Sequence, residues 1–430
     1  ETQRELMLYA ANRLPEISDS VQAVDRALKW GFNWEMGPFE RWDAIGVKEV
    51  AERLENEDRE VPQSIYDMLE SGREAFYDYD EQTVYNIANG DVVDLEPPAK
   101  GALQIRDLPE VFSNKSATLH DMGDGVALFE IHSKANTLGF EVVESLFKAF
   151  EIVPQKFDAM VIGSQGDHFS VGANLYEVMM ALKEGQFDQV KEGVKNFQDA
   201  VIGIRDLPVP VVLAPFGRTL GGACEFTMHA DKVVAHHELY AGLVEIGVGL
   251  IPAGAGTKEL LRRTMLRVAD DEQADPVPYI KEVFKTIGLA NVSMGAPEAK
   301  KYLYLRDSDT IVMNKDLQLA VAKEEARTLA DAGYQPPPKP TIKVMGQTAL
   351  SALKLMLYIM EEAQFVSAYD REIAEHVAWI MSGGDLTEPQ EVSEDYLLKL
   401  EREAFLELLQ NEKTRERITH MLKKGKPLRN

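Results

Sequence analysis

From about Gly123 onward, short runs of β-branched and other apolar residues alternate with stretches of helical periodicity. The runs GDGVALFEIHS, FDAMVIGSQ and LPVPVVLAPFG are short and almost continuously apolar, the pattern of strands buried in a sheet. Between the first two lies FEVVESLFKAFEIV, with the apolar spacing of an amphipathic helix. Alternation of strand and helix points to an α/β fold with a mostly parallel sheet covered by helices.

The flanking regions differ. Residues 1–95 carry helical periodicity, as in SDSVQAVDRALKWGF with Ser18 or Asp19 as candidate N-cap, and predict a small all-α domain. Three of the four tryptophans, Trp30, Trp34 and Trp42, fall here and are expected to pack between short helices. Residues 96–115, with adjacent Pro97 and Pro98 and no sustained period, read as a linker. The second domain then runs over 116–430. After about Thr257 it is mainly helical, and YLLKLEREAFLELLQNEKTRERITHMLKKG predicts a pair of C-terminal amphipathic helices.

Charge and cysteine use narrow the function. Forty-six Lys and Arg against seventy-one Asp and Glu leave a net charge of −25, which disfavours general binding to nucleic acid or anionic lipid. An anionic ligand must instead meet local features such as backbone N–H groups or a helix N-terminus. Cys224 is the only cysteine, so a reducing, cytoplasmic setting is expected. No apolar run reaches the ~20 residues of a membrane span. The N-terminus begins in mid-helix pattern without Met, and reads as cut from a longer chain.

The chemistry concentrates in FGRTLGGACEFTMHADKVVAHHELYAGLVEIGVGLIPAGAGTKELLRR. A buried strand ends near Gly217, Gly221 and Gly222 permit a tight turn, and a helix resumes at Ala223. The N–H groups near Gly222 would then point outward at the positive end of a helix dipole, a place for a developing oxyanion. Glu225 lies in that first turn, and Glu245 follows 20 residues later in an apolar stretch. Two carboxylates beside one oxyanion site can divide acid and base work. On spacing alone, a Glu in a first turn equally serves the dipole, and Glu245 equally suits a structural ion pair. GAGTK lacks the full phosphate-loop pattern, His236 and His237 have no third ligand, and Cys224 suits the core, so no metal site is expected.

This stretch resembles the signature of the enoyl-CoA hydratase/isomerase family, where GG(G/A)CE is followed by PE-x-x-x-G-x-x-P-G-x-G-G-T. HFSVGANLYEV resembles that family's oxyanion loop, F-x-x-G-A-D, and KANTLGFEVVESL its acyl-CoA-binding segment. The resemblance implies a crotonase-like fold of stacked ββα-type units with a helical C-terminal region. It implies Glu225 and Glu245 as catalytic residues, and the backbone N–H groups of Ala173 and Gly222 as the oxyanion hole. Lys134, Ala135, Asn136, Gly172 and Gly221 are the implied substrate and CoA contacts. Asn174 stands where the family has Asp, Tyr176 where a basic residue is frequent, and Val244 where Pro is usual. The resemblance thins from about Leu266 to Thr387 and returns in LEREAFLELL…KTRERITHMLKKGKP, residues 400–427.

DRALKWGFNWEMGPFERWDAIGV is similar to the C-terminal domain of 3-hydroxyacyl-CoA dehydrogenases. Together the two resemblances imply part of a bifunctional fatty-acid β-oxidation enzyme without its NAD-binding domain, since no GxGxxG with its catalytic partners occurs here. They imply hydration of a trans-2-enoyl-CoA, with the CoA thioester as substrate, no permanently bound cofactor and no NAD. The implied partners are a second copy of the chain in a homo-oligomer, and a thiolase. A Δ3-Δ2 enoyl-CoA isomerase and a non-catalytic acyl-CoA-binding module are the alternatives.

Overall fold

The apolar runs do pair as one sheet in the computed structural model, which describes residues 2–32, 34–96, 99–268 and 274–430. Seven strands lie in the order Thr310–Val312, Lys232–His236, Val211–Leu213, Ala159–Gly163, Val126–Ile131, Ala117–Asp121 and Glu110–Ser113. The first five pair in parallel, and the last two close one side as an antiparallel meander. Ala159–Gly163 and Val211–Leu213 are buried at every position, which explains their unbroken apolar sequence.

A second, smaller ladder matters more for the site. Gly217–Leu220 pairs in parallel with Leu239–Gly242, in register from Gly217 opposite Leu239 to Leu220 opposite Gly242. Single bridges extend it on one side, Ser170 with Thr219 and Leu138 with Ala173. Helices Phe140–Lys156, Leu175–Lys183, Phe187–Asp206 and Gly222–His229 contribute to one continuous apolar core with this sheet system. The C-terminal pair is present as Glu394–Gln410 and Glu412–Lys424, the first capped by Ser393.

The chain divides into two units, 1–100 and 101–430. The expected linker of 96–115 is therefore shorter. Leu103 O accepts from Gln165 Nε2 and Ile105 N–H donates to Gln165 Oε1, and Glu110–Ser113 already forms the sheet edge. Pro97 and Pro98 lie outside the described residues.

The first unit is mostly but not wholly helical. Among the described residues, five helices between Thr2 and Glu70 are followed by a three-stranded antiparallel sheet, Tyr77–Asp78, Thr83–Asn86 and Asp91–Asp94. Tyr77, Val84 and Tyr85 bury against the helices, giving these short strands the apolar face they need. Ser20, rather than Ser18 or Asp19, caps helix Val21–Phe32 by accepting from Ala23 N–H at 3.2 Å. The tryptophans part company. Trp42 is wholly buried between helices, whereas Trp30 is 65% exposed with Arg26 over its ring.

Candidate active site

The turn after Gly217–Leu220 sets the geometry. Gly221 takes φ +55 and ψ −125, a conformation open to glycine, and lets helix Gly222–His229 start at once. Gly222 is the first helical residue, so its N–H has no acceptor within the helix. The loop 168–174 runs alongside. Ser170 N–H donates to Arg218 O, Leu220 N–H donates back to Ser170 O, and Leu138 N–H donates to Gly172 O. Gly172 has φ +91, and a Cβ there would stand 2.5 Å from Leu220 O and 3.3 Å from Gly222 N. Only a glycine lets these two backbones approach so closely, and the approach brings the Ala173 and Gly222 peptides to one cavity.

That cavity is about 450 Å³ and lined by Ala173, Gly222, Glu225 and Glu245 together with an apolar wall that includes Phe147, Val190, Phe197 and Phe405. Gly172 and Gly221 back the lining and shape it. Lys134, Ala135 and Asn136 lie outside it among the described residues; the segment enters the cavity only from Leu138. Asn136 instead ties its loop to the oxyanion segment, donating from Nδ2 to Ser164 Oγ, His168 O and Phe169 O. Lys134 and Ala135 are exposed.

Asn174 caps helix Leu175–Lys183, accepting from Tyr176 N–H and Glu177 N–H. Its Nδ2 also donates to Glu177 Oε1 at 2.7 Å, while Glu177 Oε2 accepts from Phe140 N–H. One carboxylate thus ties the start of helix Phe140–Lys156 to the oxyanion loop.

Both predicted glutamates reach the cavity. Glu225 is 2% exposed, and its Oε1 accepts from Gly256 N–H at 2.8 Å. Gly254 is equally near, since a Cβ there would stand 2.3 Å from Oε2. Glu245 opens the short turn Glu245–Val248. Its Oε1 comes within 3.0 Å of a Cβ placed on Gly221, and its Oε2 is buried without a hydrogen-bond partner among the described residues. As a residue it is only half-buried, because its remaining surface faces the cavity.

Burial pushes both carboxyl groups up. For Glu225 the Gly256 and Gly254 amides and the charge of Lys258 oppose that push, leaving it at about 7. For Glu245 the Glu225 charge adds to burial and drives it well above the carboxylate range. The pair therefore loses its first proton from the side of Glu225, and Glu245 is the group that stays protonated.

A third buried carboxylate, Glu401 on helix Glu394–Gln410, stands behind the pair, accepting from Ala255 N–H and Lys258 N–H. Sequence reasoning missed it, although a signal existed. Leu397, Glu401, Ala404 and Leu408 share one helical face, so a charge interrupts an apolar stripe. Gly254 and Gly256 likewise stood in the GAGTK stretch without a role. Among the described residues no group of three His, Cys, Asp or Glu side chains is placed to hold a metal ion, and no helix is long and apolar enough to cross a membrane.

Residues 121–271 match the enoyl-CoA hydratase/isomerase family. The probable 3-hydroxyacyl-CoA dehydrogenase of Bacillus subtilis is 41% identical over 428 residues, 99% of this chain and 54% of that protein. The putative fatty acid oxidation complex trifunctional enzyme of Rickettsia felis is 27% identical over 97% of this chain and 52% of its own length. The chain thus spans about half the length of the curated relatives it matches. An enoyl-CoA hydratase structure from Bacillus halodurans aligns with a TM-score of 0.48 and 15% identity, over 70% of this chain and 98% of that one. The larger unit has a crotonase-like fold, with the crotonase domain at residues 121–271. The similarity at 400–427 expected from sequence lies beyond the matched stretch. The Bacillus subtilis alignment covers 99% of the chain and so runs through the first unit as well, in keeping with the resemblance of residues 1–95 to a dehydrogenase C-terminal domain.

Proposed function

We propose that this chain hydrates a trans-2-enoyl-CoA to the 3-hydroxyacyl-CoA, in the setting of fatty-acid β-oxidation. The observation that carries the reading is the meeting, in one apolar cavity, of two carboxyl groups of unequal proton affinity with the paired peptides of Ala173 and Gly222. The names of the relatives, a dehydrogenase and a fatty acid oxidation trifunctional enzyme, support the pathway.

The residues divide the reaction as follows. The thioester oxygen lies against the Ala173 and Gly222 N–H groups, which stabilise the charge that appears when the β-carbon is attacked; one such donor contributes about 3–4 kcal/mol of barrier lowering. Glu225, held ionised by the Gly256 amide, takes a proton from the attacking water as its oxygen bonds to the β-carbon. Glu245, kept protonated by burial and by Glu225, delivers its proton to the α-carbon as the enolate collapses. The product is what a 3-hydroxyacyl-CoA dehydrogenase and then a thiolase would consume, which is why a thiolase stays in the proposal as partner.

The test is crotonyl-CoA hydration by the purified chain without NAD. Turnover abolished by Glu225→Gln supports the reading. Binding of acyl-CoA without hydration, or turnover of a Δ3-enoyl-CoA alone, refutes it in favour of the binding module or the isomerase.

A further inference from the structure

Helix Gly256–Arg267 begins without a side-chain cap of its own, with Ala255 at the N-cap in a left-handed conformation, φ +79. Its first amides are taken up by two carboxylates from distant parts of the chain. Gly256 N–H donates to Glu225 Oε1 at 2.8 Å. Ala255 N–H donates to Glu401 Oε2 at 2.9 Å, and Lys258 N–H to Glu401 Oε1 at 2.7 Å. Glu401 is 0% exposed. Gln198 grips the same turn from helix Phe187–Asp206, donating from Nε2 to Ala253 O at 2.7 Å and to Leu398 O at 3.1 Å. The turn is therefore held on both sides of Gly256, whose amide is the one that meets Glu225.

We infer that Glu401 is a positioning residue for the acid/base pair: it fixes the 253–258 turn so that the Gly256 amide meets Glu225, and it sets a third carboxylate behind Glu245. This deepens the hydratase reading and rests on it. Burial and the Glu225 charge push Glu401 up to about 8. Yet every group at its oxygens is a donor: Ala255 N–H, Lys258 N–H and, at 3.5 Å, Gln198 Nε2. A protonated Glu401 would have to aim its O–H at an N–H, so the geometry selects the carboxylate. The charged groups around it are Glu225 on helix Gly222–His229, Glu245 on the turn Glu245–Val248, Lys258 on helix Gly256–Arg267 and Arg402 beside it. A negative charge at Glu401 holds the proton on Glu245 more firmly.

The test compares Glu401→Gln and Glu401→Asp with the intact chain in crotonyl-CoA hydration across pH. In E401Q an amide –NH2 replaces one acceptor and the charge is gone. We expect kcat to fall on the order of 10²-fold, with KM within about twofold, because the base is misplaced rather than the substrate. Both limbs of the pH profile should move to lower pH, since loss of a like charge lets the remaining carboxyl groups ionise more easily. E401D, which keeps the charge and shortens the reach, should lose kcat with the limbs in place. A kcat loss equal at every pH, with unmoved limbs, would show a structural role only and overturn the inference, as would near-normal kcat in E401Q. If E401Q does not fold, near-normal kcat in E401D overturns it. Carbon-13 titration of the glutamate carboxyl groups gives a reading without turnover. Lower titration of Glu225 and Glu245 in E401Q supports the inference even if the intact chain fails to hydrate enoyl-CoA, in which case the functional reading alone fails; unchanged titration overturns it.

Discussion

Replacing Gly222 by Val tests the oxyanion site most directly. Gly222 sits in helical conformation, so the damage is steric rather than a matter of backbone strain. A Cβ there would stand 2.6 Å from Phe197 Cζ and 3.3 Å from Cε2. The ring has little room to withdraw. It stacks on Phe226 with centroids 5.3 Å apart, and its other edge lies 2.4 Å from where a Cβ on Gly254 would be. Either the start of the helix or the cavity wall must move. Overpacking of this kind costs about 1–3 kcal/mol of stability. Displacing the Gly222 N–H removes one oxyanion donor, about 10²–10³-fold in kcat. Steady-state crotonyl-CoA hydration and a thermal melt read the two effects separately. Ala173→Gly is the control: it keeps the backbone N–H and adds no bulk, so much of the activity and acyl-CoA affinity should remain. Normal turnover by folded G222V would refute the helix-terminus oxyanion site.

The other expectations follow from the same contacts. Glu225→Gln and Glu245→Gln should each lower hydration by at least ~10²-fold in folded protein; a near-normal rate removes that residue from the mechanism. The rate of the intact chain should be bell-shaped in pH. It falls as pH drops below about 7 because Glu225 gains a proton, and falls again at high pH as Glu245 loses one; a flat acid limb contradicts the assignment of Glu225 as base. Glu394→Ala should destabilise the protein by ~1–3 kcal/mol in a urea melt, because it removes the carboxylate bonded at 2.7 Å to both Lys258 and Arg205 and leaves them with Glu259 and Asp206. Burial alone would raise Glu394, but those two cations outweigh it and hold it at about 2, so its contribution is present above the usual carboxylate range and is lost as pH falls toward 2. Asn174→Asp should weaken the oxyanion loop by ~1 kcal/mol by setting a carboxylate against Glu177, and Glu177→Gln should restore it; full stability of N174D alone contradicts the Asn174–Glu177 bond.

Much of the larger unit is legible in the sequence. Runs such as AMVIG and VVL are apolar because both faces of a parallel sheet are covered, and the two-glycine turn before CEF announces a tight strand-to-helix junction. The short strands of the first unit were not legible as such. Tyr77–Asp78 is two residues long, and Asp91–Asp94 is exposed throughout, so neither carries a period that distinguishes strand from loop. Trp30 and Trp42 look alike in sequence, yet Trp42 packs and Trp30 does not. Lys134 is exposed outside the cavity lining, while Asn136 ties the same segment to Ser164 and His168, a contact 28 to 32 residues away in sequence.

Sequence alone determined the class of fold and the strand-to-helix junction at Gly221–Gly222, since these depend on periodicity and on residues close together in the chain; spacing left the roles of Glu225 and Glu245 open, and the family resemblance implied the pair. Tertiary structure decided how the pair differs. Glu245 is raised by burial and then by the proximity of Glu225, Glu225 is moderated by an amide 31 residues downstream, and the turn that carries that amide is held by Glu401 from the C-terminal helix through Ala255 N–H and Lys258 N–H. No local pattern encodes those distances. Proton affinities in a buried site are set by which charges and donors the fold brings within a few ångströms, whatever their separation in sequence.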